Sequence, residues 1–127
     1  MSVKFYENFQ KAYLKLKDFC SQYDGTEINA AGVIQAFEFT FEQCWKSIQK
    51  KAGAEGISVS SPKKSFEWAL SNGWIESEDE SIWLKMLDDR NLTSHTYREA
   101  VARRVAESIL KEYEKAFYSM LEKMLKA

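Results

Sequence analysis

The stretch Ile28–Ile48, INAAGVIQAFEFTFEQCWKSI, decides the fold. Within it Ala30, Ile34, Phe37, Phe41, Cys44 and Ile48 recur at intervals of four and three. That spacing aligns them on one face of an α-helix. Phe39 and Trp45 widen the stripe, so this helix is expected to be buried on more than one side or to face a second chain.

On the N-terminal side, Phe5, Phe9, Ala12, Leu16, Phe19 and Tyr23 repeat the pattern, with Lys4, Glu7, Lys11, Lys15 and Asp18 falling on the solvent side. Asp24-Gly25-Thr26 supplies turn chemistry, with Gly25 suited to cap the first helix. On the C-terminal side the second helix is expected to end before Gly53 and Gly56, leaving KKAGAEGISVS as a loop. Ser61-Pro62 marks a helix start, Ser as N-cap and Pro at the first helical position. This short helix carries Phe66, Ala69 and Leu70 and stops at Asn72-Gly73. The acidic run Glu76, Glu78, Asp79 and Glu80 suits the first turn of a helix through Ile82, Met86 and Leu87. The last helix is expected to begin near Ser94 or Thr96, where Thr96 and Glu99 fit a capping box. It continues through Val101, Val105, Ile109, Tyr113, Phe117, Met120 and Met124.

Composition agrees with this plan. The 127 residues include 5 Gly and 1 Pro, where an average chain of this length carries about 9 and about 6. Few turn residues mean few turns and long helices. Hydrophobic residues make up 45% and aromatics 14%, enough for one packed core. The expected fold is all-α: one domain over residues 1–127, an up-down bundle of four-helix type with an additional short helix.

The same counts narrow the chemistry. One His and two Cys, none at ligand spacing, exclude a zinc site of the usual kind, so no metal and no cofactor is expected. Cys20 and Cys44 lie on apolar stripes and read as buried thiols of a reducing cytoplasm. MSVKFYENFQ lacks the apolar region of a secretory leader, and no apolar run is long enough to cross a membrane. A net charge of −1 argues against strong non-specific binding to nucleic acid by the surface as a whole. The charge is nevertheless divided: residues 46–64 carry five Lys and one Glu, residues 76–89 six acids and one Lys.

All four Arg (Arg90, Arg98, Arg103 and Arg104) fall in one 15-residue window with the lone His95. For Arg98 and Arg104 the plain reading is a solvated helix face, with pairs such as Arg103–Glu107. Arg90 belongs to the tighter stretch DDRNLTSHTY, residues 88–97. A helix break near Leu92–Ser94 would set His95 and Tyr97 in the first turn of the last helix, beside unpaired backbone N–H groups that favour anions. A guanidinium fork and a titratable imidazole there make a phosphate-chemistry site. A polar hinge, in which Arg90 and His95 satisfy buried carbonyls and Asp89, is the alternative.

Arg90-x4-His95-x-Tyr97 resembles the R-x4-H-x-Y signature of the HEPN superfamily. FEFTFEQCWK (37–46), SPKKSFEWALSNGWI (61–75) and IWLKMLDDRNLTSHTY (82–97) are similar to blocks of the nucleotidyltransferase substrate-binding subunit family, which includes HepT-type toxins. The resemblance implies a helical-bundle homodimer whose partner is a separately encoded minimal nucleotidyltransferase. It implies one of two roles: a subunit that binds substrate for that enzyme, or a metal-independent ribonuclease toxin that the enzyme silences, in some systems by adenylylating the motif tyrosine. The residues carried over are Arg90 and His95 as catalytic groups and Tyr97 as the modification or phosphate-positioning residue. Acid–base cleavage of RNA needs two proton-transfer groups. With one His per chain, a cleft shared by two copies is expected, with Phe39, Trp45 and Trp83 available to a dimer face.

Overall fold

The computed structural model describes residues 4–127. Met1–Val3, which open the segment read above as lacking a leader's apolar stretch, lie outside the described residues. The described chain is an all-α bundle: α1 Glu7–Ser21, α2 Glu27–Ala54, α3 Pro62–Ser71, α4 Glu80–Leu92, α5 Glu99–Ser108 and α6 Glu114–Leu125. A 3₁₀ turn, Ser77–Asp79, leads into α4, and a second, Thr93–His95, follows it. A π-turn, Ile109–Tyr113, joins α5 to α6 without interrupting the rod.

Side-chain pairs fix the directions. Lys51 lies over the Phe5 ring, Thr40 donates to the Ala12 carbonyl, and Gly32 backs onto Phe19, so α1 and α2 are antiparallel. Trp83 meets Phe117 while Asp89 meets Tyr113 and Arg104, so α4 runs against the last rod. The order is therefore up, down, up, down, with α3 as the additional short helix. Phe9, Phe37, Tyr113 and Phe117 form a contiguous aromatic centre that Phe41, Phe66 and Trp83 extend toward α3. Burying each such ring contributes about 1.5–3 kcal/mol before entropy is counted.

The π-turn has a cause in the sequence. Val105, Ile109, Tyr113 and Phe117 are fully buried although they recur at three successive intervals of four. In a regular α-helix, twelve residues overshoot the starting face by roughly 120°. One wider turn with an extra residue returns the stripe to the core.

Local signals were followed at α3. Ser61 caps it, its hydroxyl accepting from the Lys64 N–H at 3.2 Å, and Pro62 holds the first position. Its end reverses at Gly73, φ +77°, with Trp74 N–H to Ala69 C=O at 2.8 Å and Gly73 N–H to Leu70 C=O at 3.2 Å. This is the paired closure that a left-handed glycine allows.

Four expectations are corrected. The second helix does not stop before Gly53. Buried Ala52 holds its last turn in place, and the chain reverses only at Gly56, φ +80°, where Ile57 N–H reaches Ala52 C=O. Gly25 does not cap α1, which ends at Ser21 with Gln22 as its cap. The last helix starts at neither Ser94 nor Thr96: α5 begins at Glu99 with Arg98 in the capping position, and the Thr96–Glu99 box does not form. The Thr96 hydroxyl instead donates to the Thr93 carbonyl at 3.0 Å. Trp83, 4% exposed, is core, so it is not available to a dimer face, whereas Phe39 is 57% exposed. Trp45 is half-buried, its indole N–H donating to Glu42.

Cys44 is buried and Cys20 half-buried, both as free thiols. Burial pushes the Cys20 thiol up to about 12 and the Cys44 thiol well above its ordinary value, so neither is a ready nucleophile. Among the described residues no helix is long and apolar enough to cross a membrane.

Candidate functional site

Arg90 occupies the last turn of α4, and the 3₁₀ turn Thr93–His95 begins just beyond that helix. This turn exists because each local hydroxyl bonds a carbonyl three residues back. Thr93 donates to Arg90 C=O at 2.7 Å, Ser94 to Asn91 C=O at 3.4 Å and Thr96 to Thr93 C=O. Such back-bonding competes with helix continuation. The expected break near Leu92–Ser94 is therefore present, but His95 and Tyr97 lie before the next helix rather than within its first turn.

Arg90 is half-buried. Its Nη1 donates to Thr93 Oγ1 at 2.8 Å and lies 3.5 Å from Glu38 Oε2 on α2. Both partners use one nitrogen, which leaves the rest of the fork for a planar anion. His95 is exposed, and its ring lies 6.2 Å from that of Tyr97, edge-on. Tyr97 is 76% exposed, with the Arg98 guanidinium 5.7 Å from its ring centre. His95 and Tyr97 thus share the short exposed connection that follows α4, and half-buried Arg90 stands in the last helical turn before it. Among the described residues one chain brings a single imidazole there, and no group of three potential metal ligands occurs.

The hinge reading is not realised in the form expected. Asp89 is satisfied by Arg104 and Tyr113, not by Arg90 or His95. Arg104 is accordingly more than a solvated surface charge, and Arg103 pairs with Glu99 at 3.1 Å rather than with Glu107. Burial, then the hydrogen bond to Asp89, push the Tyr113 phenol far above its ordinary value, so it remains protonated and donates. Hydrogen bonding to Asp89 likewise raises Arg104. Glu38 and Thr93 carry no site role in the sequence pattern, Asp89 figures there only as the hinge partner of Arg90 and His95, and Tyr113 only in the run of four-residue intervals that requires the π-turn.

An apolar hollow between α3 and α4, lined by Phe66, Leu70, Ile75, Trp83 and Leu87, encloses about 190 Å³ and contains none of the motif residues. It is smaller than the usual small-molecule pocket.

Among curated proteins nothing matches this chain. A solved crystal structure from Thermus thermophilus is similar to it: 33% identity, TM-score 0.83, with 91% of this chain and 98% of that one covered. Residues 4–126 match the family described as nucleotidyltransferase substrate binding protein like. With nearly its whole length matched, the chain belongs to that family.

Proposed function

We propose that this chain is the helical partner subunit of a separately encoded minimal nucleotidyltransferase, in a pair of toxin–antitoxin type acting in the cytoplasm. The family match over residues 4–126 carries this reading. A homodimer of the single 1–127 domain is its working form, with exposed Phe39 on α2 available to the interface.

One observation favours a second, catalytic reading: His95 and Tyr97 stand together on the exposed connection that follows α4, directly after the helical turn that carries Arg90. In that reading the chain is a metal-independent endoribonuclease. His95 moves a proton between the 2′-hydroxyl and the leaving 5′-oxygen. Arg90 stabilises the charge that develops on phosphorus. Tyr97 positions the phosphate, or its hydroxyl takes an adenylyl group from ATP in the partner's active site, with release of pyrophosphate. Acid and base come from the two His95 side chains of a dimer.

The partner claim is tested by co-expression with the nucleotidyltransferase encoded beside this chain, and co-purification is expected. Failure to associate overturns it. For the catalytic reading, His95→Ala is expected to lower RNA cleavage by about 100-fold or more and to leave the complex intact. A wild-type dimer that cuts no RNA, and a His95→Ala variant as toxic as wild type in cells, dismiss it. Intact mass after co-expression with ATP reads Tyr97: no added adenylyl mass with an active partner leaves that tyrosine a positional role only.

A further inference from the structure

Asp89 sits one residue before Arg90 and is 3% exposed. Arg104 Nη2 donates to its Oδ1 at 2.8 Å and Nη1 to its Oδ2 at 3.4 Å, while the Tyr113 hydroxyl donates to the same Oδ2. The grip comes from two places on the last rod, α5 and the π-turn. Consecutive helical residues point about 100° apart. Asp89 pinned inward therefore fixes the rotation of the α4 end, and with it the direction in which Arg90 leaves the helix.

A second, independent feature carries this constraint forward. Arg90 Nη1 donates to Thr93 Oγ1, and Thr93 Oγ1 donates back to the Arg90 carbonyl. This closed ring starts the turn that bears His95, and Thr93 is itself buried. A buried ion pair adds little net stability compared with apolar residues of the same volume, so stability alone gives no reason for this grip.

We infer that Asp89, held by Arg104 and Tyr113, is the positioning residue that aims Arg90 and, through Thr93, His95 at a phosphate group. The inference rests on the phosphate-chemistry reading above and adds a buried residue that touches no substrate.

Side-chain ¹⁵N resonances of Arg90 and His95, recorded without ligand and during titration with inorganic phosphate, test it. Tyr113→Phe keeps the ring and its packing, so it is the primary variant. Asp89→Asn is the second. Ser61→Ala, which loosens the start of α3 and removes no partner of Asp89, Arg90 or Thr93, and Arg103→Ala, on α5 and paired with Glu99, are controls. Tyr113→Phe is expected to shift both resonances in the absence of phosphate and to weaken phosphate binding about 5- to 10-fold, a change of about 1 to 1.4 kcal/mol. The controls are expected to move neither. Resonances of Arg90 and His95 that stay in place in Tyr113→Phe overturn the positioning role. If wild type binds no phosphate, the parent reading fails, while the ligand-free shifts still decide for or against Asp89.

Discussion

At the start of α3 a serine hydroxyl accepts a backbone N–H and proline fills the first helical position. At the start of α5 the capping position is held by Arg98, whose guanidinium has no acceptor to offer. Both places have hydroxyls within reach. Before α5, however, Thr93, Ser94 and Thr96 all turn backward to carbonyls of the preceding turn. One helix start is optimised for the helix. The other is optimised for the turn that holds Arg90 and His95, and α5 begins uncapped as a result.

The largest stability effect that this contrast predicts is at the good cap. Ser61→Ala is expected to lower stability by about 1 kcal/mol, a fall of a few degrees in the unfolding midpoint by calorimetry, with RNA cleavage unchanged. An effect on cleavage comparable to that of His95→Ala would mean that the two helix starts are coupled through the packing of α3 on α4.

The same contrast explains what could be read in advance. Ser61-Pro62 and Asn72-Gly73 act through neighbours within a few residues, so α3 was legible from both ends. The amphipathic stripes of α1 and α2 were legible because burial imposes the helical period directly. The α5 start was not, since Thr96–Glu99 satisfies a local rule that three competing hydroxyls override. Arg90, His95 and Tyr97 could be singled out from composition and spacing, yet the Asp89–Arg104–Tyr113 grip joins residues 15 and 24 positions apart and follows only from packing. The π-turn lies between these cases: its signal was present in Val105, Ile109, Tyr113 and Phe117, but a regular-helix reading absorbs three intervals of four without noticing their drift.

A smaller effect of opposite sign is expected at α5. Arg98→Asp supplies the missing acceptor and places negative charge at the positive end of the helix, gaining about 0.5 kcal/mol. Arg98 already has the extended backbone that a capping residue needs, φ −83° and ψ 117°. The variant also removes a cation beside Tyr97, so phosphate binding is expected to fall while the midpoint rises. A stabilised variant with unaltered phosphate affinity would show that the uncapped start serves no ligand.

The smallest effect concerns a third helix start and depends on pH. Asp24 accepts from both the hydroxyl and the N–H of Thr26, at 2.6 and 3.0 Å, and Thr26 in turn accepts from the Asn29 N–H to cap α2. The hydrogen bond from the Thr26 hydroxyl, then that from its backbone, lower the Asp24 carboxyl from 3.8 to about 2. A folded-state value below the unfolded one means that the brace contributes fully above 3.8 and is lost as pH falls through about 2. Comparing wild type with Asp24→Asn by thermal unfolding, the gap between midpoints should be constant at neutral pH and close over that acid window. Because the carboxylate is fully exposed, added salt should narrow the gap as well. A gap unchanged through the window would mean that Thr26 caps α2 without its neighbour, and that of the three helix starts only the Ser61 hydroxyl and the Thr26 hydroxyl, not any carboxylate, separate the capped from the uncapped.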